Sequence, residues 1–230
     1  VMGSPGYFVE FSKQHALSDD GRCRPYSAHA TGTVWAEGAG MFVLERRSAA
    51  VRSGHQILGE VRASCLNQDG HSTGLTAPSG DAQARLFGRA IASAGARPED
   101  IGMIEGHGTG TRLGDRTELN ALARTYGDAE PGRGAVLGSV KSNVGHSQAA
   151  AGALGLAKVL LSAQHAVIPA SLHTEEASSE IDWQSQGLRL ARELTPWPAI
   201  DGERLAAVSA FGMSGTNAHV VVAMPQEMVA

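Results

Sequence analysis

The sequence predicts an α/β fold with its functional groups at the carboxyl ends of the strands. Short runs rich in β-branched and aliphatic residues recur near 40–45, 57–63, 101–105, 135–140, 205–209 and 218–223. Segments with apolar residues at helical spacing separate most of them. One further helix, over 149–164, carries Leu154, Leu156, Val159, Leu160 and Leu161 all round its axis. That pattern predicts burial on every side, as between two sheets. Alternating strands and helices build βαβ units, and ligands meet such folds where the strands end.

A mixed lead-in over 1–33 opens the chain, with a short amphipathic helix at 7–14 and a turn-rich passage, Ser18-Asp19-Asp20-Gly21-Arg22. Asp81 caps the next predicted helix, whose Leu86, Phe87, Ala90, Ile91 and Ala94 share a face before Gly95 ends it. Asp115 followed by Glu118 reads as a capping box with Asp in the Ser/Thr position. Leu119, Leu122, Ala123 and Tyr126 then line one side of that helix, and Gly127 stops it. Gly152 and Gly155 let the apolar helix approach its neighbours closely.

Composition narrows the function. A chain of 230 residues, 42% hydrophobic and 18% charged, can bury a sizeable core. Its net charge of −4, with no basic cluster longer than Arg46-Arg47, leaves no footprint for nucleic acid. Lys158, Gln164 and His165 interrupt the most apolar stretch, which falls short of the ~20 apolar residues of a membrane span. Two cysteines, Cys23 and Cys65, are too few for a disulfide framework and point to a reducing cytoplasm. Starting at Val1 without a signal segment, the chain reads as beginning within a longer protein.

Two histidine units stand at strand ends. Gly106-His107-Gly108-Thr109-Gly110-Thr111 leaves the strand at 101–105, and its glycines allow a sharp turn and close ligand approach. Taken alone, His107 fits a glycine-rich turn equally well. A phosphate loop is disfavoured, because neither a dinucleotide fingerprint nor a GKS/GKT ending is present. Lys141-Ser142-Asn143-Val144-Gly145-His146 follows the strand at 135–140. There the start of the apolar helix discourages protonation of His146, and Lys141 adds positive charge. Two imidazoles and an ammonium together suit a small developing anion. Ser209 to His219 joins two strands through a glycine-rich turn whose backbone N–H groups could serve an oxyanion. It fails the nucleophile-elbow pattern, because Thr216 replaces the last glycine, and His219 reads as a core residue. Zinc spacings are absent among the nine histidines.

GHGTGT at 106–111, KSNVGH at 141–146 and FGMSGTNAH at 211–219 resemble three signatures of β-ketoacyl synthases. DGRC at 20–23, EGAG at 37–40, NQDG at 67–70, GLTAP at 74–78 and LGD at 113–115 add to the resemblance. It extends to about Met224 and is closest to the ketosynthase domains of modular type I polyketide synthases. It implies a thiolase-like α-β-α-β-α sandwich, of which this chain forms mainly the C-terminal half. Residues 1–33 would lead in from the N-terminal half, 34–224 would form the C-terminal half, and 225–230 would start a linker.

The activity so implied is decarboxylative condensation of an acyl thioester with a malonyl or methylmalonyl unit on an acyl carrier protein. His107 and His146 would promote decarboxylation and stabilise the enolate, with Lys141 in support. Thr109 and Thr111 would contact the phosphopantetheine arm, which carries the substrate; no cofactor would bind directly. Phe211, Gly212, Met213 and Asn217 would form the substrate-binding turn, the Met213 N–H serving an oxyanion hole. The implied partners are the carrier protein, the N-terminal half with its nucleophilic cysteine, and a second copy of the complete domain.

Departures qualify the resemblance. Neither Cys23 nor Cys65 sits in a serine-rich elbow, Ser27 and Thr31 replace acidic residues, and Arg116 replaces a proline. A thiolase would need another cysteine near the end, and an initiating synthase an asparagine in place of His146. A non-condensing or complementing partner is the alternative, and a nucleotide-binding α/β protein is a third reading.

Overall fold

A computed structural model describes residues 2–70, 74, 77–127, 134–183 and 186–225. Residues 75 and 76 of the GLTAP motif and the expected linker beyond 225 lie outside the described residues. In chain order the elements are α1 (Gly6–Lys13), α2 (Arg47–Ser53), β1 (Glu60–Gln68), α3 (Gly80–Ala94), β2 (Ile101–Glu105), α4 (Arg112–Tyr126), β3 (Val136–Gly138) and α5 (Lys141–Val144). There follow α6 (Ala151–Gln164), β4 (Val167–Ile168), β5 (Arg189–Leu190), β6 (Thr195–Pro196), β7 (Glu203–Phe211) and β8 (Thr216–Pro225).

Six strands form one mixed sheet in the order β1-β8-β7-β2-β3-β5. β7, β2, β3 and β5 are parallel neighbours, and only β8 runs against the rest, in a hairpin with β7. β4 and β6 form a separate small ladder. Successive residues of the central strands serve opposite faces. Ala207, Leu137 and Val221 join Leu86, Phe87, Leu119, Leu122 and Tyr126 beneath α3 and α4. Val208, Val136 and Val222 join Val159, Leu160 and Ala163 of α6. Both faces of the central strands are covered, so these strands are mostly apolar instead of alternating with polar residues, with Glu105, Ser209 and His219 among the buried polar exceptions. In β2 a register shift between Ile101 and Met103 breaks strict alternation.

Four expectations need correction. No strand forms at 40–45: Met41 and Val43 are 93% and 92% exposed, and no neighbouring strand among the described residues pairs with them. β-propensity alone cannot form a ladder without a partner. The helix capped by Asp81 is capped by Ser79, whose hydroxyl accepts from the Ala82 N–H, while Asp81 pairs with Arg124. Asp115 and Glu118 form no capping box, because α4 already begins at Arg112 with Thr111 as its N-cap. Finally, α6 is not buried on every side. It packs on one sheet, whereas Leu161 is 55% exposed and a groove of about 410 Å³ runs along Leu154, Ala157 and Leu161 to Val140, Val167 and Pro169.

The close approach expected of the α6 glycines is present. A Cβ on Gly155 would lie 3.1 Å from Glu105 Cγ and 3.3 Å from Val208 Cγ1. That seat brings Lys158 Nζ within 2.7 Å of Glu105 Oε2, burying an ion pair between helix and sheet.

Candidate active site

Parallel pairing sets the site. Glu105 of β2 registers with Gly138 of β3 and Val208 of β7, so all three strands end at the same edge. There β2 releases the GHGTGT loop, β3 releases Lys141 to His146, and β7 enters the Phe211–Thr216 turn.

Two buried carboxylates hold the GHGTGT backbone. Glu118 Oε1 accepts from the His107 N–H (2.7 Å), and Glu118 Oε2 accepts from the Gly108 N–H (2.9 Å) and the Tyr26 hydroxyl (2.8 Å). Asp115 Oδ1 accepts from Thr109 (3.1 Å) and Gly110 (3.2 Å), and its Oδ2 accepts from the Tyr26 N–H (2.8 Å). Four successive loop amides thus find partners on one helix, which satisfies donors that burial would otherwise penalise. The loop's glycines follow from the same packing. A Cβ on Gly106 would lie 1.9 Å from Tyr26 Oη, and Gly110 needs a φ of 73°.

Burial raises the Asp115 carboxyl to about 7, nearby Glu118 adding to the effect while the backbone donors oppose it. Burial also raises Glu118. Lys141 is buried, and its ammonium donates to the His107 carbonyl. Burial lowers its pKa, with the carboxylates of Glu105 and Glu118 pulling the other way.

His107 and His146 meet, their ring centroids 5.4 Å apart at 84°. Each Nδ1 faces a backbone donor: the Phe211 N–H lies 3.2 Å from His107 Nδ1, and the Gln148 N–H lies 3.0 Å from His146 Nδ1. An Nδ1 that accepts a hydrogen bond leaves the neutral ring's proton on Nε2. Burial first, then the Lys141 charge, depresses both pKa values, His107 well below the ordinary range and His146 to about 3. The pair is therefore two neutral Nε2–H donors. His146 is fixed further by backbone pairing, its N–H to Val34 O (2.7 Å) and its carbonyl from the Ala36 N–H (3.0 Å). Trp35 packs on its ring at 5.1 Å.

The remaining sequence-derived residues fall into two groups. Thr109 and Thr111 lie on the site's edge with hydroxyls 2.8 Å apart, Phe211 packs on His107 at 5.1 Å, and Gly212 and the 58%-exposed Met213 lie in the adjoining turn. Asn217 is buried instead, its amide donating to Asn67 Oδ1 (3.1 Å) and Asp69 Oδ1 (2.7 Å). It ties the turn to the end of β1. Cys23 donates to the Thr109 carbonyl and burial pushes its thiol up to about 12, while Cys65 is buried within β1. Both have the environment of inert thiols. Sequence reasoning missed Glu118, Asp115, Tyr26 and Gln148. The acidic pair carried a signal, its i, i+3 spacing, which also fits a cap; Gln148, at a φ of 56°, carried none.

Two family models match the chain, the β-ketoacyl synthase C-terminal domain over residues 58–175 and its N-terminal domain over residues 1–50. The chain belongs to the β-ketoacyl synthase family. It is 53% identical over 223 residues to the polyketide synthase GfsE of Streptomyces halstedii, covering 96% of this chain and 6% of that protein. It is 52% identical over 223 residues to the erythronolide synthase EryA2 of Saccharopolyspora erythraea, again covering 96% and 6%. Among solved structures it is similar to the ketosynthase from module 6 of the bacillaene synthase of Bacillus subtilis, with a TM-score of 0.94 and 38% identity. That match covers 98% of this chain and 41% of the neighbour. The chain thus has the thiolase-like fold its motifs implied, is similar to the ketosynthase domains of polyketide synthases, and spans well under half of the solved neighbour. The family's departures find local partners here: Ser27 Oγ donates to the Glu176 carbonyl (3.1 Å), and Arg116 pairs with Glu180 (3.0 Å).

Proposed function

We propose that this ketosynthase chain supplies the decarboxylation centre of a chain-elongating condensation. A malonyl or methylmalonyl unit, carried on the phosphopantetheine arm of an acyl carrier protein, loses CO₂ as the bond from its α-carbon to the carboxylate breaks. The electron pair passes into the thioester as an enolate, and the Nε2–H groups of His107 and His146 donate to its oxygen. The enolate carbon then attacks an acyl thioester held on a cysteine, and the cysteine sulfur leaves as thiolate. That cysteine belongs to the N-terminal half of the ketosynthase. Thr109 and Thr111 line the arm's path, the Phe211–Met213 turn faces the acyl group, and Lys141 holds the His107 backbone. The complete domain acts as a homodimer in a reducing cytoplasm, where Cys23 and Cys65 stay free.

One observation carries this reading: both imidazoles accept a backbone N–H at Nδ1 and stay neutral, so each keeps its donor on Nε2, with the two rings 5.4 Å apart. Donors aligned before reaction lower the barrier to forming an anion, each by about 10²–10³ in rate. His107→Ala or His146→Ala in the complete domain should therefore slow CO₂ release from a malonyl thioester by about that factor. Wild-type release from either variant would overturn the reading.

A second reading, a complementing or non-condensing partner, is favoured by the two cysteines present, Cys23 being tied to the Thr109 carbonyl and Cys65 being buried within β1.

A further inference from the structure

Behind the histidine pair lies a buried polar chain that the condensation does not use. His219 of β8 is fully buried, with Nε2 2.6 Å from the Tyr126 hydroxyl and Nδ1 2.9 Å from Ser209 Oγ. Burial holds its pKa down at about 3, so the ring is neutral: one nitrogen donates and the other accepts, in either tautomer. The three residues belong to different elements. Tyr126 ends α4, whose Asp115 and Glu118 hold the GHGTGT amides; Ser209 lies in β7 two residues before Phe211, whose N–H fixes His107. His219 pairs directly with Ser209 across the β7–β8 ladder. Its ring also packs on Phe87 at 4.6 Å, Phe87 on Phe211 at 6.2 Å, and Phe211 on His107 at 5.1 Å.

We propose that the Tyr126–His219–Ser209 chain is a positioning device for His107, locking α4 to β7 so that the Phe211 N–H stays on His107 Nδ1. His107 is held from two sides, its backbone by α4 and its ring by β7. A hydrogen-bonded chain between those elements sets their spacing, and in a dry interior such a chain tolerates little displacement. Loss of the alignment frees Nδ1 and lets the ring populate the tautomer with no Nε2–H. The inference rests on the proposed role of His107.

The test uses the complete ketosynthase domain and single-hydroxyl deletions, which leave the core filled. Tyr126→Phe and Ser209→Ala should each lower kcat for decarboxylation of a small malonyl thioester about tenfold with KM unchanged, the scale of one lost hydrogen bond. Nitrogen NMR of His107 should show a single Nε2–H form in wild type and a mixture in both variants. Ser209→Thr, which keeps the hydroxyl, should restore kcat and the single form. Variants that keep wild-type kcat and a single His107 tautomer overturn the proposal. Equal losses in kcat with an unchanged tautomer overturn it too, because they show a general loosening. If His107→Ala is as active as wild type, the functional reading itself falls and takes this inference with it. Wild-type dependence on His107 with unaffected hydroxyl variants removes only the positioning chain.

Discussion

A neutral imidazole donates from one nitrogen only, so it serves an oxyanion dependably when its other nitrogen is already engaged by a donor. His107 and His146 meet that condition through the amides of Phe211 and Gln148. Their depressed pKa values have a sign that can be followed. The unfolded chain binds a proton on His146 near its ordinary 6.5, but the folded chain only near 3. Its contribution to stability is therefore full above about 6.5 and is lost as pH falls from there toward 3. Asp115 acts in the opposite sense: raised from 3.8 to about 7, its contribution is full below 3.8 and is lost as pH rises toward 7. For activity the histidines decide. The rate of malonyl decarboxylation by the complete domain should show no inflection at the ordinary histidine pKa as pH falls from about 7.5 to about 5, since neither donor ring protonates in that range. A half-maximal rate near that value that persists in Asp115→Asn, which removes the loop carboxyl raised to about 7, would mean that at least one ring is solvated and ordinary. Not all of this was legible in the residues. GHGTGT and KSNVGH gave both histidines and the lysine. The backbone donors at Nδ1 depend on how β7 and the Gln148 turn are placed, and no local pattern encodes that.

At the scale of elements, α4 is a helix whose inward face holds a loop. Its two carboxylates receive four loop amides and both polar groups of Tyr26. Spacing alone reads Asp115 and Glu118 as a cap, because a cap and a loop clamp place acids at the same offset. The helix start at Arg112, set by the turn geometry before it, separates the two. The energetic consequence is unequal between buried and exposed acids. Glu118→Ala leaves two amides and a phenol without their acceptor in a dry site, and should cost about 3 kcal/mol or more in urea unfolding of the complete domain. Arg124→Ala breaks a solvent-exposed pair with Asp81 and should leave the urea midpoint close to wild type. Comparable losses from the two would contradict the clamp. Helices and long strands were otherwise readable from periodicity, including α3 with its Gly95 stop, α6, β7 and β8. The predicted strand at 40–45 failed for a reason outside itself. Its residues have strand-like composition, yet a strand is made by what pairs with it.

On the scale of the whole molecule, the surface is least settled where the interior pattern is most apolar. Met41, Val43 and Leu44 stand exposed, and the open side of α6 forms a groove lined by Leu154, Ala157 and Leu161. A helix apolar on all sides that packs on one sheet retains a second apolar face, and exposed patches of this kind mark interaction surfaces. The chain spans 41% of the bacillaene ketosynthase it resembles. The occupant most consistent with the reading above is the N-terminal half of the same ketosynthase, bringing the cysteine nucleophile to the histidine edge. The chain by itself should therefore bind an apolar-surface dye and condense no acyl thioester with malonyl carrier protein. Joined to a cysteine-bearing first half, it should lose dye binding and gain condensation. Replacing that cysteine by alanine in the reconstituted pair should abolish condensation while CO₂ release from malonyl thioester continues, since the enolate is formed at His107 and His146 and needs no acyl-enzyme. A pair that assembles but gains no condensation would count against complementation. CO₂ release that disappears with the cysteine would place the decarboxylation centre outside this chain.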